Sequence, residues 1–274
     1  MVSRLFQIVV AAGLFVLPGM ATAVDSGLKA LTDRSDLLGW EAVGRVDIAD
    51  GGYCTGVLLA PDTVLTAAHC VMDTKTGERL DVKTLEFRAG FRDGEVIARS
   101  GISGAVAHPN FDPLAENDGD SIRHDVALLR LAQPIPAAVA SPYRVSGPPA
   151  SGHPVTVVSY GKGRSNAASR QSGCALMAQA EGLIAFGCQG DPGSSGAPVF
   201  DTSGRHPEII SIISSGTTYK GQPAVLGMSL PEMVADLERA FRTGEGVWPE
   251  VLPDARHVVS GSTKRAGTAR FLRP

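Results

Sequence analysis

The sequence of 274 residues lacks a long apolar segment and lacks an excess of basic charge. The apolar run at residues 5–17 has only 13 residues, whereas a membrane-spanning helix needs about 20, and no later run is better suited. The net charge of −3 gives no reason to expect nucleic acid or an anionic membrane as a partner. No internal repeat is visible. These absences favour a soluble globular protein.

The short apolar run has the setting of a secretory leader. Arg4 precedes it, and the small residues Ala21, Thr22 and Ala23 follow it, which predicts a signal peptide at residues 1–23. Its removal leaves 251 residues with a net charge of about −4, enough for one two-barrel unit or two small domains. We therefore expect a secreted or periplasmic protein, monomeric and free of membrane contact after cleavage.

Cysteine is scarce, with four residues in the whole chain. They are Cys54, Cys70, Cys174 and Cys188. In an exported chain, four cysteines favour two disulfides over a metal site. A zinc site made by Cys54, His69 and Cys70 is the alternative, although adjacent His and Cys ligands strain tetrahedral geometry. We expect no metal and no cofactor.

Long helical periodicities are also scarce, and short β-branched runs bounded by Gly, Pro, Asn and Asp take their place. Such runs occupy residues 56–59, 64–67, 96–106, 126–131, 155–160, 183–186 and 209–214. Their spacing favours an all-β sandwich or barrel.

One segment near the C-terminus carries a helical pattern instead. Its apolar residues recur at helical spacing at Met233, Val234, Leu237 and Phe241. Pro231 stands near the start and Gly244 follows the end, and both are typical of helix boundaries. We predict a single C-terminal helix packed on the body.

Three stretches have the composition of irregular structure. Proline and glycine at residues 134–154 predict an extended connector between two halves. Residues 111–125 are acidic and predict a solvated surface loop, with a calcium site as the alternative. Residues 255–274 hold five basic and no acidic side chains, so we expect residues 244–274 to be a flexible basic tail.

Three short strings carry the residues with the clearest chemistry. They read TAAHC at 66–70, DVALLRL at 125–131 and GSSGAPVF at 193–200, and they contain His69, Asp125 and Ser195. A serine hydroxyl is too weakly acidic to attack an amide unaided. It needs an imidazole to take its proton and a buried carboxylate to hold that imidazole in the right tautomer. The three strings therefore suggest nucleophile, base and orienting acid, in the chain order His, Asp, Ser.

With these strings, residues 40–243 resemble the trypsin-like serine proteases of the chymotrypsin fold, in particular the bacterial secreted members. The strings GGYCTGVLLAPDTVLTAAHC, AHPNF and VVSYGKG add to the likeness. The resemblance implies an all-β fold of two six-stranded antiparallel β-barrels, with the active site in the cleft between them. It implies a serine endopeptidase acting on a polypeptide substrate, and residues 24–39 would be a short pro-segment or an N-terminal arm.

The resemblance also implies a role for each candidate residue. Ser195 would be the nucleophile, His69 the general base and acid, and Asp125 the residue that orients His69. The N–H groups of Gly193 and Ser195 would form the oxyanion hole. The implied substrate-binding residues are Gln189, Ser214, Ser215 and Gly216, of which Ser214 would also support Asp125. The implied disulfides are Cys54–Cys70, with Cys174–Cys188 as the remaining pair.

Two departures from the family affect activation and specificity. Ser194 stands where animal digestive members have an aspartate that pairs with a new N-terminus, and no Ile-Val-Gly-Gly string precedes Cys54. Activation through that ion pair is therefore not expected. Gln189 falls where trypsin has its aspartate, and Ile213 where glutamyl-specific members have a histidine. We expect a small or medium neutral P1 residue.

Two other functions remain compatible with the same strings. A catalytically silent binding protein can share the fold, because fold alone does not confer activity. An esterase-only hydrolase would use the same oxyanion hole for ester acyl transfer. Labelling by a fluorophosphonate and hydrolysis of casein would separate the silent protein from the enzyme.

Overall fold

The computed structural model describes residues 27–49, 51–116 and 118–249. The predicted signal peptide and residues 250–274 of the predicted flexible tail lie outside the described residues. The first part of that tail is described and is not flexible as predicted, because Trp248 is buried and exchanges backbone hydrogen bonds with Ala105. The strands of the first half are β1 (Leu28–Ala30), β2 (Val43–Ile48), β3 (Tyr53–Ala60), β4 (Thr63–Thr66), β5 (Leu85–Ala89), β6 (Ala98–Ala107) and β7 (Ala127–Leu131). Those of the second half are β8 (Arg144–Val145), β9 (Pro154–Gly161), β10 (Arg164–Ala180), β11 (Leu183–Phe186), β12 (Pro198–Asp201), β13 (Glu208–Ile212), β14 (Ser215–Tyr219) and β15 (Gln222–Met228). The α-helices are α1 (Gly119–His124) and α2 (Pro231–Thr243), and two single turns of 3-10 helix cover Ala68–Cys70 and Val82–Thr84.

Six strands of the first half close into an antiparallel barrel in the order β2-β3-β4-β7-β6-β5. Alternation of burial along β5 turns Leu85, Phe87 and Ala89 inward, as the two-residue period of a strand requires. Strand β4 pairs with β7 so that Thr66 lies opposite Ala127. This register brings the end of β4 and the start of β7 to one rim of the barrel.

The second half is a nine-stranded sheet that curls into a half-barrel. Its order is β14-β15-β11-β10-β9-β12-β13-β8, and β1 adds to β10. The long strand β10 joins its two parts, since it pairs with β9 along its first part and with β11 near its end. The edge strands β14 and β8 do not pair with each other, so this sheet stays open while the first half closes. The predicted all-β class is confirmed.

Residues before the barrel pack onto the second half. Strand β1 runs antiparallel to β10, with Leu28 opposite Gln171. Leu31 and Leu37 follow this strand and are each 1% exposed. Residues 27–39, the described part of residues 24–39, thus contribute to the core of the protein.

The acidic stretch at residues 111–125 contains helix α1, which the prediction of a solvated loop missed. Asp118 caps the helix, because its Oδ1 accepts the N–H groups of Asp120 at 3.0 Å and Ser121 at 2.9 Å. Ile122 is the buried residue of this helix. The helix ends at His124, directly before Asp125. Its position therefore sets the backbone of the candidate acid.

Helix α2 confirms the predicted C-terminal helix. Pro231 is its first residue, and Gly244 follows it in the left-handed conformation with φ of +80°. Val234, Leu237 and Phe241 form its buried face. Neither α1 nor α2, the helices of the described residues, is long and apolar enough to cross a membrane.

Candidate active site

His69 and Asp125 lie at the barrel rim that the pairing of β4 with β7 creates. His69 sits in the 3-10 turn Ala68–Cys70, which follows the end of β4 after a single residue. Asp125 lies between the end of α1 and the start of β7. Because these two strands are antiparallel neighbours, residues 56 positions apart in the sequence become neighbours in space.

Asp125 is 2% exposed and receives three hydrogen bonds. Its Oδ2 accepts the Nδ1–H of His69 at 2.6 Å and the hydroxyl of Ser214 at 2.5 Å. Its Oδ1 accepts the backbone N–H of His69 at 2.9 Å. A buried carboxylate without donors would be strongly unfavourable, and these three donors compensate for its burial. They also keep the proton of neutral His69 on Nδ1, so that Nε2 carries the lone pair.

The electrostatic surroundings of His69 favour its charged form. Desolvation by burial is the largest single effect and lowers the pKa, but the charge of Asp125 and its hydrogen bond together outweigh burial. The net result is a raised pKa for His69. This imidazole can therefore accept a proton more readily than a histidine in water.

Ser195 lies in a loop that is hydrogen-bonded to strand β3 of the first half. The backbone N–H of Thr55 in β3 donates to the carbonyl of Ser195 at 2.8 Å, and its hydroxyl donates to the carbonyl of Gly193 at 2.9 Å. From the second half, Gly196 donates its N–H to the carbonyl of Ile213 at 2.7 Å. The loop is thus fixed against both halves of the molecule.

Two glycines in this loop are required by their conformation and by close neighbours. Gly193 has φ of +95°, and a Cβ there would lie 2.2 Å from the ring of Tyr53. Gly196 has φ of +76°, and a Cβ would lie 2.3 Å from the carbonyl oxygen of Thr55. Within the described part of the chain, the N–H groups of Gly193 and Ser195 donate to no protein acceptor. They are available to a ligand.

Two adjoining pockets contain the candidate triad. A cleft of about 330 Å³ is lined by His69 and Asp125, and a smaller pocket of about 230 Å³ is lined by Ser195. Ser214 and Gly216 line both, so the two pockets meet along this segment. His69 and Asp125 line the first pocket and Ser195 lines the second, and these two adjoining pockets are together called the groove.

The predicted substrate-binding residues are placed unequally. Ser214 and Gly216 line both pockets, and Ser215 lines the cleft beside His69. Gln189 lines neither pocket, and its backbone N–H donates to the side-chain carbonyl of Gln171 at 2.8 Å. The small pocket is lined instead by Gly190, Asp191, Pro192, Ser195, Ile213, Ser214 and Gly216.

Val225 is a pocket neighbour that the sequence did not reveal. It is fully buried in β15, and a Cβ added to Gly190 would lie 2.4 Å from its Cγ1. The valine side chain therefore packs directly against the backbone that lines the small pocket. No signal in the sequence points to this contact, since the two residues are 35 positions apart.

Both predicted disulfides are present. Cys54 is bonded to Cys70, and Cys174 to Cys188. The alternative zinc site at Cys54, His69 and Cys70 is therefore wrong, because the two sulfur atoms are bonded to each other and are not free thiolates. Among the described residues, the carboxylates of residues 111–125 do not gather into a group of three that could hold an ion.

Known proteins share parts of this sequence and its fold. The CLIP domain-containing serine protease HP8 of Bombyx mori is 34% identical over 106 residues, covering 34% of this chain and 28% of that protein. The inactive serine protease PAMR1 of Homo sapiens is 34% identical over 84 residues, covering 28% of this chain and 11% of that protein. The chain thus spans less than a third of the length of these relatives.

A solved structure shares the fold over a much larger part of the chain. A Glu endopeptidase in complex with MPD matches with a TM-score of 0.66 at 15% identity, covering 80% of this chain and 98% of that chain. The sequence model of the trypsin-like peptidase domain matches residues 54–206, which are more than half of the 274 residues. The chain therefore has the chymotrypsin-like fold and belongs to the trypsin-like peptidase domain family.

Proposed function

We propose that the protein is a secreted serine endopeptidase that hydrolyses peptide bonds through an acyl-enzyme on Ser195. The observation that carries the proposal is the buried Asp125 carboxylate, which holds Nδ1 of His69 at 2.6 Å beside the groove that Ser195 lines. An ion-paired imidazole of this kind is the base that a serine nucleophile needs.

In the first half of the reaction, the Ser195 Oγ attacks the carbonyl carbon of the scissile peptide bond. Its proton passes to Nε2 of His69, and the resulting imidazolium is stabilised by Asp125. The new C–O bond turns the carbonyl oxygen into an oxyanion. When the C–N bond breaks, His69 gives its proton to the leaving amine, and the acyl group stays on Ser195.

In the second half, water replaces the amine. His69 takes a proton from water, the hydroxide oxygen attacks the acyl carbon, and the ester bond to Ser195 breaks. The proton returns to the serine oxygen, so the enzyme is restored and the carboxylic acid leaves. No cofactor is needed at any step.

The N–H groups of Gly193 and Ser195 support the oxyanion in this mechanism. Neither group donates to an acceptor in the described chain, and both belong to a loop that Thr55 and Ile213 anchor. Donors that are fixed before the reaction stabilise the developing charge without reorganisation, and losing one costs about 100- to 1000-fold in turnover.

Substrate selection follows from the segment at residues 214–216. An extended peptide can add beside this segment as a further strand, with its P1 side chain in the small pocket. That pocket is about 230 Å³, and Val225 packs against Gly190 in its wall. Its one acidic residue, Asp191, already accepts from Arg164 at 3.4 Å. We therefore propose a small neutral P1 residue, with no preference for basic or acidic side chains.

Secretion is part of the same proposal. Two disulfides among the described residues suit an oxidising compartment, and the N-terminal leader predicted from the sequence would provide export. The peptidase unit would extend over residues 40–243 and act as a monomer on polypeptides.

A fluorophosphonate probe tests the proposal directly. The purified protein should be labelled once at Ser195 and should hydrolyse casein, whereas Ser195→Ala should lose both properties. Thr217→Ala, a small substitution at an exposed position of β14, is the control and should be labelled like the wild type. A folded wild-type protein that resists the probe and leaves casein intact would refute the proposal.

A catalytically silent protein is the second candidate. A relative that carries the word inactive in its name, with 34% identity over 84 residues, favours it. The probe separates the two candidates, and a mixed library of esters and peptides separates an endopeptidase from an esterase-only hydrolase.

A further inference from the structure

The loop of the candidate oxyanion hole is anchored by a neutral side chain. Ser194 is 1% exposed and points its hydroxyl into the protein. The Oγ of Ser194 accepts the backbone N–H of Asp191 at 3.3 Å and donates to Ser159 Oγ at 3.5 Å. Both contacts are long, and neither involves a charge. The bonds that Thr55 and Ile213 make fix the backbone at residues 193, 195 and 196, so the Ser194 side of the loop needs a further group.

Arg164 provides that group. Its Nη1 donates to the carbonyl of Ser159 at 2.8 Å, and its Nη2 donates to the Oγ of Ser159 at 3.1 Å. The same Nη2 reaches Ser194 Oγ at 3.2 Å, and Nε reaches Asp191 Oδ2 at 3.4 Å. One guanidinium therefore links strand β9 to two residues of the loop. A planar group with five fixed donors suits this task better than a flexible ammonium.

The hairpin that carries Arg164 is shaped around this contact. A Cβ on Gly161 would lie 2.6 Å from both Cζ and Nη2 of Arg164, so only glycine leaves room for the guanidinium. The next residue, Lys162, donates its backbone N–H to the carbonyl of Pro192 at 2.8 Å. The turn between β9 and β10 and the start of β10 thus contact the loop at Asp191, Pro192 and Ser194.

We propose that Arg164 is a positioning residue that fixes the loop at residues 191–195, so that the N–H groups of Gly193 and Ser195 remain available to a ligand. This inference rests on the proposed function, in which those two groups stabilise the oxyanion. The ion pair with Asp191 is a minor part of it, because the Asp191 side chain is 45% exposed and solvent screens the attraction. The bonds to Ser159 and Ser194 lie inside the protein.

Arg164→Met tests the proposal, since it keeps the length of the side chain and removes all its donors. We expect kcat to fall about 10- to 100-fold, less than complete loss of the oxyanion donors would cause. Amide hydrogen exchange in the peptide that covers residues 189–197 should become faster. Arg99→Met, at an exposed position on β6 of the barrel, is the matched control and should change neither quantity.

Three further variants distinguish positioning from general stability. Arg164→Ala should regain part of its kcat when guanidinium is added at tens of millimolar, which a global loss of stability would not allow. Arg164→Lys should have a lower kcat than the wild type, because one ammonium group cannot reach Ser159 and Ser194 together. Gly161→Ala keeps Arg164 but displaces its guanidinium, and it should also accelerate exchange in the loop. It decides the matter if Arg164→Met does not fold.

The exchange measurement keeps this proposal separate from the proposed function. If the wild type proves inactive towards the probe and casein, the proposed function fails. Faster exchange in Arg164→Met than in Arg99→Met would still support the proposal that Arg164 positions the loop. Exchange at the wild-type rate in both Arg164→Met and Gly161→Ala would overturn the role of Arg164, whatever the activity.

Discussion

Ser214 donates its hydroxyl to the buried carboxylate of Asp125 at 2.5 Å, and this bond joins the second half of the fold to the first. Asp125 belongs to the rim of the closed barrel, whereas Ser214 lies between β13 and β14 of the open sheet. The candidate catalytic pair is thereby tied to the segment proposed to bind the substrate. A shift of one half relative to the other would therefore alter the position of Asp125 and, through it, of His69.

Removal of the Ser214 hydroxyl should weaken this tie without breaking the pair. In Ser214→Ala, Oδ2 of Asp125 keeps the bond from His69, so the carboxylate is not left without a donor. A hydrogen bond to a charged group contributes about 1.5–3 kcal/mol, and we expect the free energy of unfolding to fall by about that amount. We expect kcat/KM to fall about tenfold.

Denaturant unfolding and steady-state kinetics would check this prediction. Ser103→Ala is the control, because its hydroxyl donates to neutral carbonyls in the barrel, among them that of Arg130 at 3.2 Å. It should lose less stability and no activity. Equal losses in the two variants would show that the bond to Asp125 has no special weight.

Replacement of the carboxylate itself should be far more damaging. Asp125→Asn keeps the shape of the side chain, but an amide favours the tautomer of His69 that carries its proton on Nε2, and the base is then lost. We expect kcat/KM to fall about 10,000-fold, with fluorophosphonate labelling slowed in parallel. Circular dichroism would confirm that the variant is folded. Activity within tenfold of the wild type would contradict the role of Asp125.

The pH profile should report the raised pKa of His69. The imidazole must be neutral to accept the proton of Ser195, so kcat/KM should fall as pH drops through that pKa. Because Asp125 raises it, the midpoint should lie above the ordinary value of about 6.5. In Asp125→Asn only the desolvation effect would remain, and the midpoint of the residual activity should move below that of the wild type.

The same shift has a consequence for stability, with the opposite dependence on pH. A histidine with a raised pKa in the folded state stabilises that state fully below about pH 6.5. This contribution disappears as pH rises through the folded-state pKa, so His69 should stabilise the fold least where activity is greatest. Unfolding by urea between pH 5 and pH 9 would show this trend as a difference between wild type and His69→Gln.

Local patterns in the sequence predicted several of the strands and helix α2, because each depends on residues close in the chain. The pairing of the cysteines came instead from the resemblance to a family. Helix α1 was missed because its acidic residues suggest a solvated loop, although Asp118 two positions before Asp120 is a capping signal. Gln189 was predicted to bind the substrate, but it does not line the small pocket, since its position depends on the path of the loop that follows it.

Contacts between distant residues could not be predicted from the sequence. Arg164 meets Ser194 across 30 positions, and Val225 meets Gly190 across 35. Neither contact produces a periodic pattern or a motif in the sequence, because each forms only when β9, β10 and β15 assemble into one sheet. The triad was predictable because resemblance to a family supplied the long-range pairing that local patterns lack.

The two disulfides should contribute to stability alike and to activity differently. Each closes a loop of similar size, with sequence separations of 16 and 14, so loss of either should cost about 3 kcal/mol in the free energy of unfolding. Only Cys70 adjoins His69. We therefore expect Cys54→Ala with Cys70→Ala to lower kcat as well, and Cys174→Ala with Cys188→Ala to retain more of it. Equal effects on kcat would contradict this.

The wall that Val225 forms behind Gly190 should determine the size of the P1 residue. Val225→Ala removes two methyl groups beside the small pocket, which should then accept a larger side chain. A methylene in an apolar pocket alters discrimination by about 1–3 kcal/mol, so the ratio of kcat/KM for leucine over alanine at P1 should rise about tenfold or more.

A matched variant tests whether a general loss of stability could change the preference at P1. Val157 is buried in β9 within the same apolar cluster but, unlike Val225, has no atom within 4 Å of a Cβ placed on Gly190. Val157→Ala should therefore cost a similar amount of stability, about 2 kcal/mol, and leave the P1 ratio unchanged. Cleavage of a peptide library by the wild type, Val225→Ala and Val157→Ala would measure the P1 ratio of each protein. An unchanged ratio in Val225→Ala would mean that P1 specificity is set elsewhere, because the wall would then have been opened without effect.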